Sequence, residues 1–81
     1  MLNQVLLMGK LVGQYSLPSA GRYAIEVNLD GTDYVVYMSK ELFDSVDVNK
    51  DFEALIAVKG SLFHYDGYLC IKAEKIVMMG D

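Results

Sequence analysis

Eighty-one residues and a mass of 9.0 kDa allow one small domain, which would bury roughly 60% of its extended surface on folding. With 53% hydrophobic and 22% charged residues, the chain falls among ordinary globular proteins and outside the disordered class. A net charge of -4 is opposite in sign to the basic balance of proteins that coat nucleic acid through bulk electrostatics.

Residues 2–12 are apolar on both faces of an extended pattern, with Gly9 marking a bulge or a sharp coil. Residues 18–21, Pro-Ser-Ala-Gly, are the clearest surface loop. In Arg22–Leu29 the apolar Tyr23, Ile25, Val27 and Leu29 alternate with Arg22, Ala24, Glu26 and Asn28, the period of a half-buried strand. Asp30-Gly31 supplies the positive φ angles of a type I′ hairpin, and residues 33–38 form its second strand. Ser39 is placed to cap a helix over 40–46, with Glu41 and Asp44 near its start and Asn49 as its exit. Residues 55–63, interrupted by Gly60, and 68–79 flank a second hairpin turn at Asp66-Gly67. Five strands with one short helix between the third and fourth predict a mainly all-β chain, the five-stranded Greek-key barrel of the OB-fold, in a single domain over 1–81.

Little catalytic chemistry is available. His64 and Cys70 are the one base and nucleophile near each other, without a third orienting group or an oxyanion site. Asp47, Asn49 and Asp51 imitate the start of an EF-hand loop, but Phe52 stands where glycine is required and Val58 where glutamate is. Gly9 and Gly13 lack the lysine and hydroxyl residue of a phosphate loop. No enzyme activity, cofactor or metal is expected. The lone Cys70 precludes an internal disulfide and suits a reducing compartment. The longest apolar run, 54–58, is too short to cross a bilayer, and no basic segment opens a secretory signal, so a cytoplasmic, membrane-free protein is expected.

The aromatic content is more informative, with six Tyr, three Phe and no Trp. Aromatic faces along a cationic groove are how single strands are held, at about 1 to 3 kcal/mol per stacked base. Tyr34 and Met38 share a strand face with Val36, while Tyr65 and Tyr68 bracket the second hairpin tip on the strand pair that carries Lys72.

The opening Met1-Leu2-Asn3-Gln4-Val5-Leu6-Leu7-Met8-Gly9-Lys10-Leu11 resembles the start of the single-stranded DNA-binding protein family of bacteria, phages and mobile elements. Asp33-Tyr34-Val35-Val36-Tyr37-Met38 with Lys40-Glu41-Leu42 resembles that family's third strand and helix start. Val58-Lys59-Gly60-Ser61-Leu62 and Ala73-Glu74-Lys75-Ile76-Val77-Met78-Met79-Gly80 are similar to its last two strands. The family's stacking tryptophans have no counterpart, and its long loop between strands two and three is reduced to Asp30-Gly31. The resemblance therefore implies a reduced, non-enzymatic OB-fold binder of single-stranded DNA, acting in replication, recombination or a mobile-element process with modest affinity. It implies contacts from Tyr34, Met38, Tyr65 and Tyr68, and phosphate contacts from Lys10, Lys59 and Lys72.

A second expectation comes from the acids. Glu41, Asp44, Asp47, Asp51 and Glu53 crowd thirteen residues and would suit docking to a basic protein surface, such as a component of a replication complex. On that alternative the chain is a protein-interaction or regulatory module that has lost strong nucleic-acid binding. A third expectation is a homodimer or homotetramer, because one barrel buries only the inward residues of its first strand, leaving outward ones among Leu2, Val5, Leu6 and Met8 for a second copy. Pairing through the first strand is also what the resemblance implies.

Overall fold

The computed structural model describes residues 3–80. Strands β1 (Gln4–Leu17), β2 (Arg22–Leu29), β3 (Thr32–Met38), β4 (Leu55–Tyr65) and β5 (Tyr68–Gly80) pair in the order β1-β2-β3-β5-β4, and β4 returns to β1 to close a barrel. Only β3 and β5 run parallel, through Val36 with Ile71 and Tyr37 with Lys72. This is the OB-fold barrel expected from the strand order.

β1 is longer than residues 2–12 because its two halves serve different neighbours. Residues 4–10 pair with β4, residues 10–17 pair with β2, and the register shifts between Leu11 and Gly13. Gly9 and Gly60 sit where strands approach too closely for a side chain. A Cβ on Gly9 would strike the Asn28 carbonyl oxygen of β2, and one on Gly60 the Lys72 carbonyl of β5. Both hairpins turn through Asp-Gly pairs with positive φ, 51° and 85° at Asp30 and Gly31, 52° and 82° at Asp66 and Gly67.

Alternation sends Leu7, Leu11, Ile25, Val27, Val36, Met38, Ile56, Val58 and Ala73 into one core. Six of its side chains, Leu11, Ile25, Val27, Val36, Ile56 and Val58, are fully buried. Each contributes about 1.5 to 3 kcal/mol relative to exposure in water.

The connection from β3 to β4 corrects the expected single helix. Two four-residue helices form instead, α1 (Lys40–Phe43) and α2 (Val48–Asp51). Ser39 does cap the first, its Oγ accepting from the Leu42 amide at 3.2 Å. The split arises at Asp47, which is extended (φ -129°, ψ 101°) and whose carboxylate accepts from the Asn49 and Lys50 amides to start α2 afresh. The polar groups freed by the break go to Gln14 on β1. Its amide nitrogen donates to the Phe43 and Val46 carbonyls at 3.2 and 2.8 Å, and its oxygen accepts from the Val48 amide at 3.1 Å.

Candidate functional site

Between the buried Val36 and Met38, Tyr37 must point outward. The register sets it beside Ala24 of β2 and Lys72 of β5. Across β5, Phe63 of β4 lies opposite Cys70, and its ring meets Tyr37 edge-on with centroids 6.0 Å apart at 74°. At the end of β4, Tyr65 leans toward the start of β2, where the Arg22 guanidinium carbon lies 4.6 Å from its ring centroid. Gly21, left-handed at φ 64°, ends the 3-10 turn Pro18–Ala20 and starts the chain into Arg22.

These side chains enclose an open cleft of about 410 Å³, with Tyr23 and the edge of Met38 completing its lining. A shallower hollow of about 200 Å³ continues over Tyr15, Leu17 and Val35, sharing Arg22 and Tyr37. The cleft thus offers four aromatic rings, two cations and no carboxylate. The opposite end of the same β1–β2–β3 surface is acidic. Tyr15 Oη donates to Glu26 at 2.7 Å, and Asn28 Nδ2 donates to Asp33 at 2.6 Å. The hydrogen bond to Glu26, followed by desolvation and the charges of Glu26 and Asp33, raises the Tyr15 hydroxyl above its ordinary pKa.

Of the residues expected to contact a ligand, Tyr65 and Lys72 meet in this cleft. Met38 points into the core, 6% exposed, and shows only an edge at the cleft floor, because it shares the inward face with Val36. Tyr34 is on that same inward face, opposite Val27 and near the Asp30-Gly31 turn, outside the cleft lining. Tyr68 is 73% exposed beside the hairpin tip and pairs with Tyr65. Lys10 and Lys59 belong to another surface, Lys10 between Leu55 and Asn28 at its border with β2, and Lys59 between Leu6 and Lys75. Arg22, Tyr23, Tyr37 and Phe63 are the cleft side chains that sequence reasoning missed. Alternation around Val36 was the available signal for Tyr37, whereas Arg22 and Phe63 had none short of the folded barrel.

That other surface carries Leu6, 71% exposed, with exposed Met8, Leu55 and Val77 beside it. Met8 pairs with Ala57, which pairs with Val77, so they form one rung across β1, β4 and β5. Val5 turns the other way and packs against the core. Leu2 lies outside the described residues.

His64 pairs with Leu69 and Phe63 with Cys70, so His64 and Cys70 occupy successive, oppositely facing rungs of the hairpin and do not converge. Cys70 Sγ instead donates to the Tyr68 carbonyl at 3.7 Å. Among the described residues no group of three acids, histidines or cysteines is arranged to hold a metal. Likewise no helix among them is long and apolar enough to cross a membrane. In the acidic segment, Asp44 is paired with Lys40 at 2.6 Å and Asp47 caps α2.

No family sequence model matches the chain, and no curated protein matches it in sequence. Solved structures share its fold. A small single-stranded DNA binding protein from Mycoplasma pneumoniae is 22% identical, with a TM-score of 0.73 over 98% of this chain and 88% of that one. The N-terminal domain of PriB from Thermoanaerobacter tencongensis, described as dimeric, is 22% identical with a TM-score of 0.64 over 98% of each chain. The asparaginyl-tRNA synthetase of Pyrococcus horikoshii is 15% identical with a TM-score of 0.72, but 95% of this chain spans only 20% of that one. At these identities the likeness establishes the barrel, which resembles that of small single-stranded DNA binding proteins.

Proposed function

We propose that the protein binds single-stranded DNA in the cleft between the β1–β2 connection and the β4–β5 hairpin. The observation that carries this reading is the convergence of Tyr37, Phe63 and Tyr65 with Arg22 and Lys72 from four strands onto one open surface. Rings there can stack bases, and the two cations can meet the phosphates between them. The strand 2–3 face with the loops after strands 1 and 4 is also where OB-folds take oligonucleotides. The Mycoplasma pneumoniae protein of the same fold, itself a single-stranded DNA binding protein, supports the reading. Of the five acids of the alternative docking surface, Asp44 is paired with Lys40 and Asp47 caps α2.

On this reading the chain acts without catalysis, in replication, recombination or a mobile-element process. It works as a homodimer or larger assembly joined through the surface of Leu6 and Met8, with a place for a replication-complex protein. Its compartment is the cytoplasm.

The test is fluorescence anisotropy of labelled oligo-dT at low and moderate salt. Binding at low salt is expected, with a log-log salt slope of about -1.4 for two phosphate contacts on a single strand. Tyr37→Leu and Lys72→Gln should each weaken it, Tyr37→Leu by about 1 to 3 kcal/mol. A folded protein that binds no oligonucleotide at low salt overturns the reading.

A further inference from the structure

We propose that the cleft accepts only a short single-stranded segment, about four nucleotides per protomer, and that the carboxylates of Glu26 and Asp33 set the limit. The inference rests on the single-stranded DNA reading above and adds the size of the ligand and the residues that bound it.

The rings and cations run across the barrel rather than along it. Between backbones, the path from Arg22 on β2 through Tyr37 on β3 and Lys72 on β5 to Phe63 on β4 is three strand spacings, about 14 Å at roughly 4.8 Å each. The side chains draw closer still, Tyr37 meeting Phe63 at 6.0 Å and Arg22 meeting Tyr65 at 4.6 Å. OB-folds cover about 4 to 16 nucleotides, and this row matches the low end.

A longer strand could leave the cleft past Lys72, or over the hollow of Tyr15, Leu17 and Val35 toward the Asp30-Gly31 turn. Past Lys72 the rung continues to Ser61 and Gln4, which offer neither a ring nor a cation. Toward the Asp30-Gly31 turn the outward positions of β2 and β3 are Glu26, Asn28, Asp33 and Val35; Tyr34 faces inward, and the exposed ring on that path, Tyr15 of β1, is hydrogen-bonded to Glu26. Glu26 is two residues beyond Ala24, about 7 Å along the strand. That distance is inside the screening length of about 8 Å at physiological salt, so a phosphate carried past the cleft meets unfavourable charge. The pKa of the Tyr15 hydroxyl is raised chiefly by its hydrogen bond to Glu26, then by desolvation, and in smaller part by the charges of Glu26 and Asp33.

The experiment is a ladder of labelled oligo-dT of 4, 6, 8 and 12 nucleotides at low salt, read by anisotropy on the full chain and on Glu26→Gln/Asp33→Asn. The replacements keep an oxygen to accept from Tyr15 and Asn28, so the fold is retained, and circular dichroism checks it. For the wild type, affinity should rise from four to twelve nucleotides by no more than about tenfold, the gain from extra binding registers on a longer lattice. The double variant should bind the 12-mer about fivefold tighter than wild type while changing on the 4-mer by less than about twofold. A wild-type gain beyond about a hundredfold, or a variant that follows the wild-type ladder at every length, overturns the length limit and leaves single-strand binding standing. No binding at any length overturns both.

Discussion

The Arg22 guanidinium lies 4.6 Å from the centroid of the Tyr65 ring, tying the first residue of β2 to the last residue of β4 across 43 residues of sequence. The contact spans the cleft mouth, so each partner fixes the other at the rim. Both are exposed, which places the interaction at about 0.5 to 1 kcal/mol. Arg22→Ala and Tyr65→Leu should each lower the unfolding free energy by about that much, and the double variant by less than the sum. Urea denaturation of the four proteins measures it, and strict additivity would show that the pair does not interact in solution.

Gly60→Ala should be far more damaging than a surface glycine change. Its Cβ would enter the space of the Lys72 carbonyl and the Ala73 Cα, both backbone, so a strand must move at a cost of about 1 to 3 kcal/mol or more. Gly31→Ala has open space and pays only for its positive φ, about 1 to 2 kcal/mol. Thermal unfolding of the two variants should rank Gly60→Ala below Gly31→Ala. The reverse order would mean that β5 yields easily at this point.

Leu6→Lys tests the apolar outer surface of β1. Leu6 is 71% exposed, so the change should leave the barrel's stability nearly untouched and dissociate the assembly proposed above. Light scattering at micromolar concentration reads the mass. A wild-type mass equal to the 9.0 kDa monomer rejects self-association. An unchanged assembly in the variant moves the interface elsewhere.

Stability should fall as pH rises above the ordinary tyrosine pKa of 10.0, in part through Tyr15. Its hydrogen bond to Glu26 favours the neutral phenol, so the folded state holds this proton more tightly than the unfolded state. The stabilisation is complete below pH 10.0 and is lost as pH climbs through the raised folded value. Urea midpoints between about pH 9 and 11.5 should decline more steeply for the wild type than for Tyr15→Phe. Parallel declines would show that the Glu26 bond does not persist in water.

Much of the barrel was legible because its signals are local. Asp30-Gly31 and Asp66-Gly67 specify their own turns, and Arg22–Leu29 carries a clean alternation. Ser39 likewise announces α1. The break before α2 was not legible, since it depends on Asp47 capping anew and on Gln14 of β1, distant in sequence, donating to the Phe43 and Val46 carbonyls and accepting from the Val48 amide. The site was legible in part. Aromatic residues and Lys72 near the second hairpin pointed to the end of the molecule that carries the cleft, whereas Tyr34 and Met38 lie on the inward face of β3. Val36 and Met38 are core, and that decides for Tyr37 over Met38 and Tyr34. Arg22 was missed because its partner ring arrives only when β4 has closed against β1.

The hydrogen bonds from Gln14 also divide the molecule by time scale. α1 and α2 are four residues each, too short to persist alone, and neither contains a buried residue. Their shape is held by Val46 in the core, by Leu42, Phe43 and Val48 packed against its edge, and by one side chain of β1. Residues 40–52 therefore form a unit that can open while the five strands stay paired, and their amides should exchange with solvent long before those of Ile25 or Val58. In Gln14→Leu the opening should become faster still, with the barrel amides unaffected. Because Phe43 packs on Tyr23 of the cleft lining, with ring centroids 5.3 Å apart, each opening of the β3–β4 connection would also loosen one wall of the cleft.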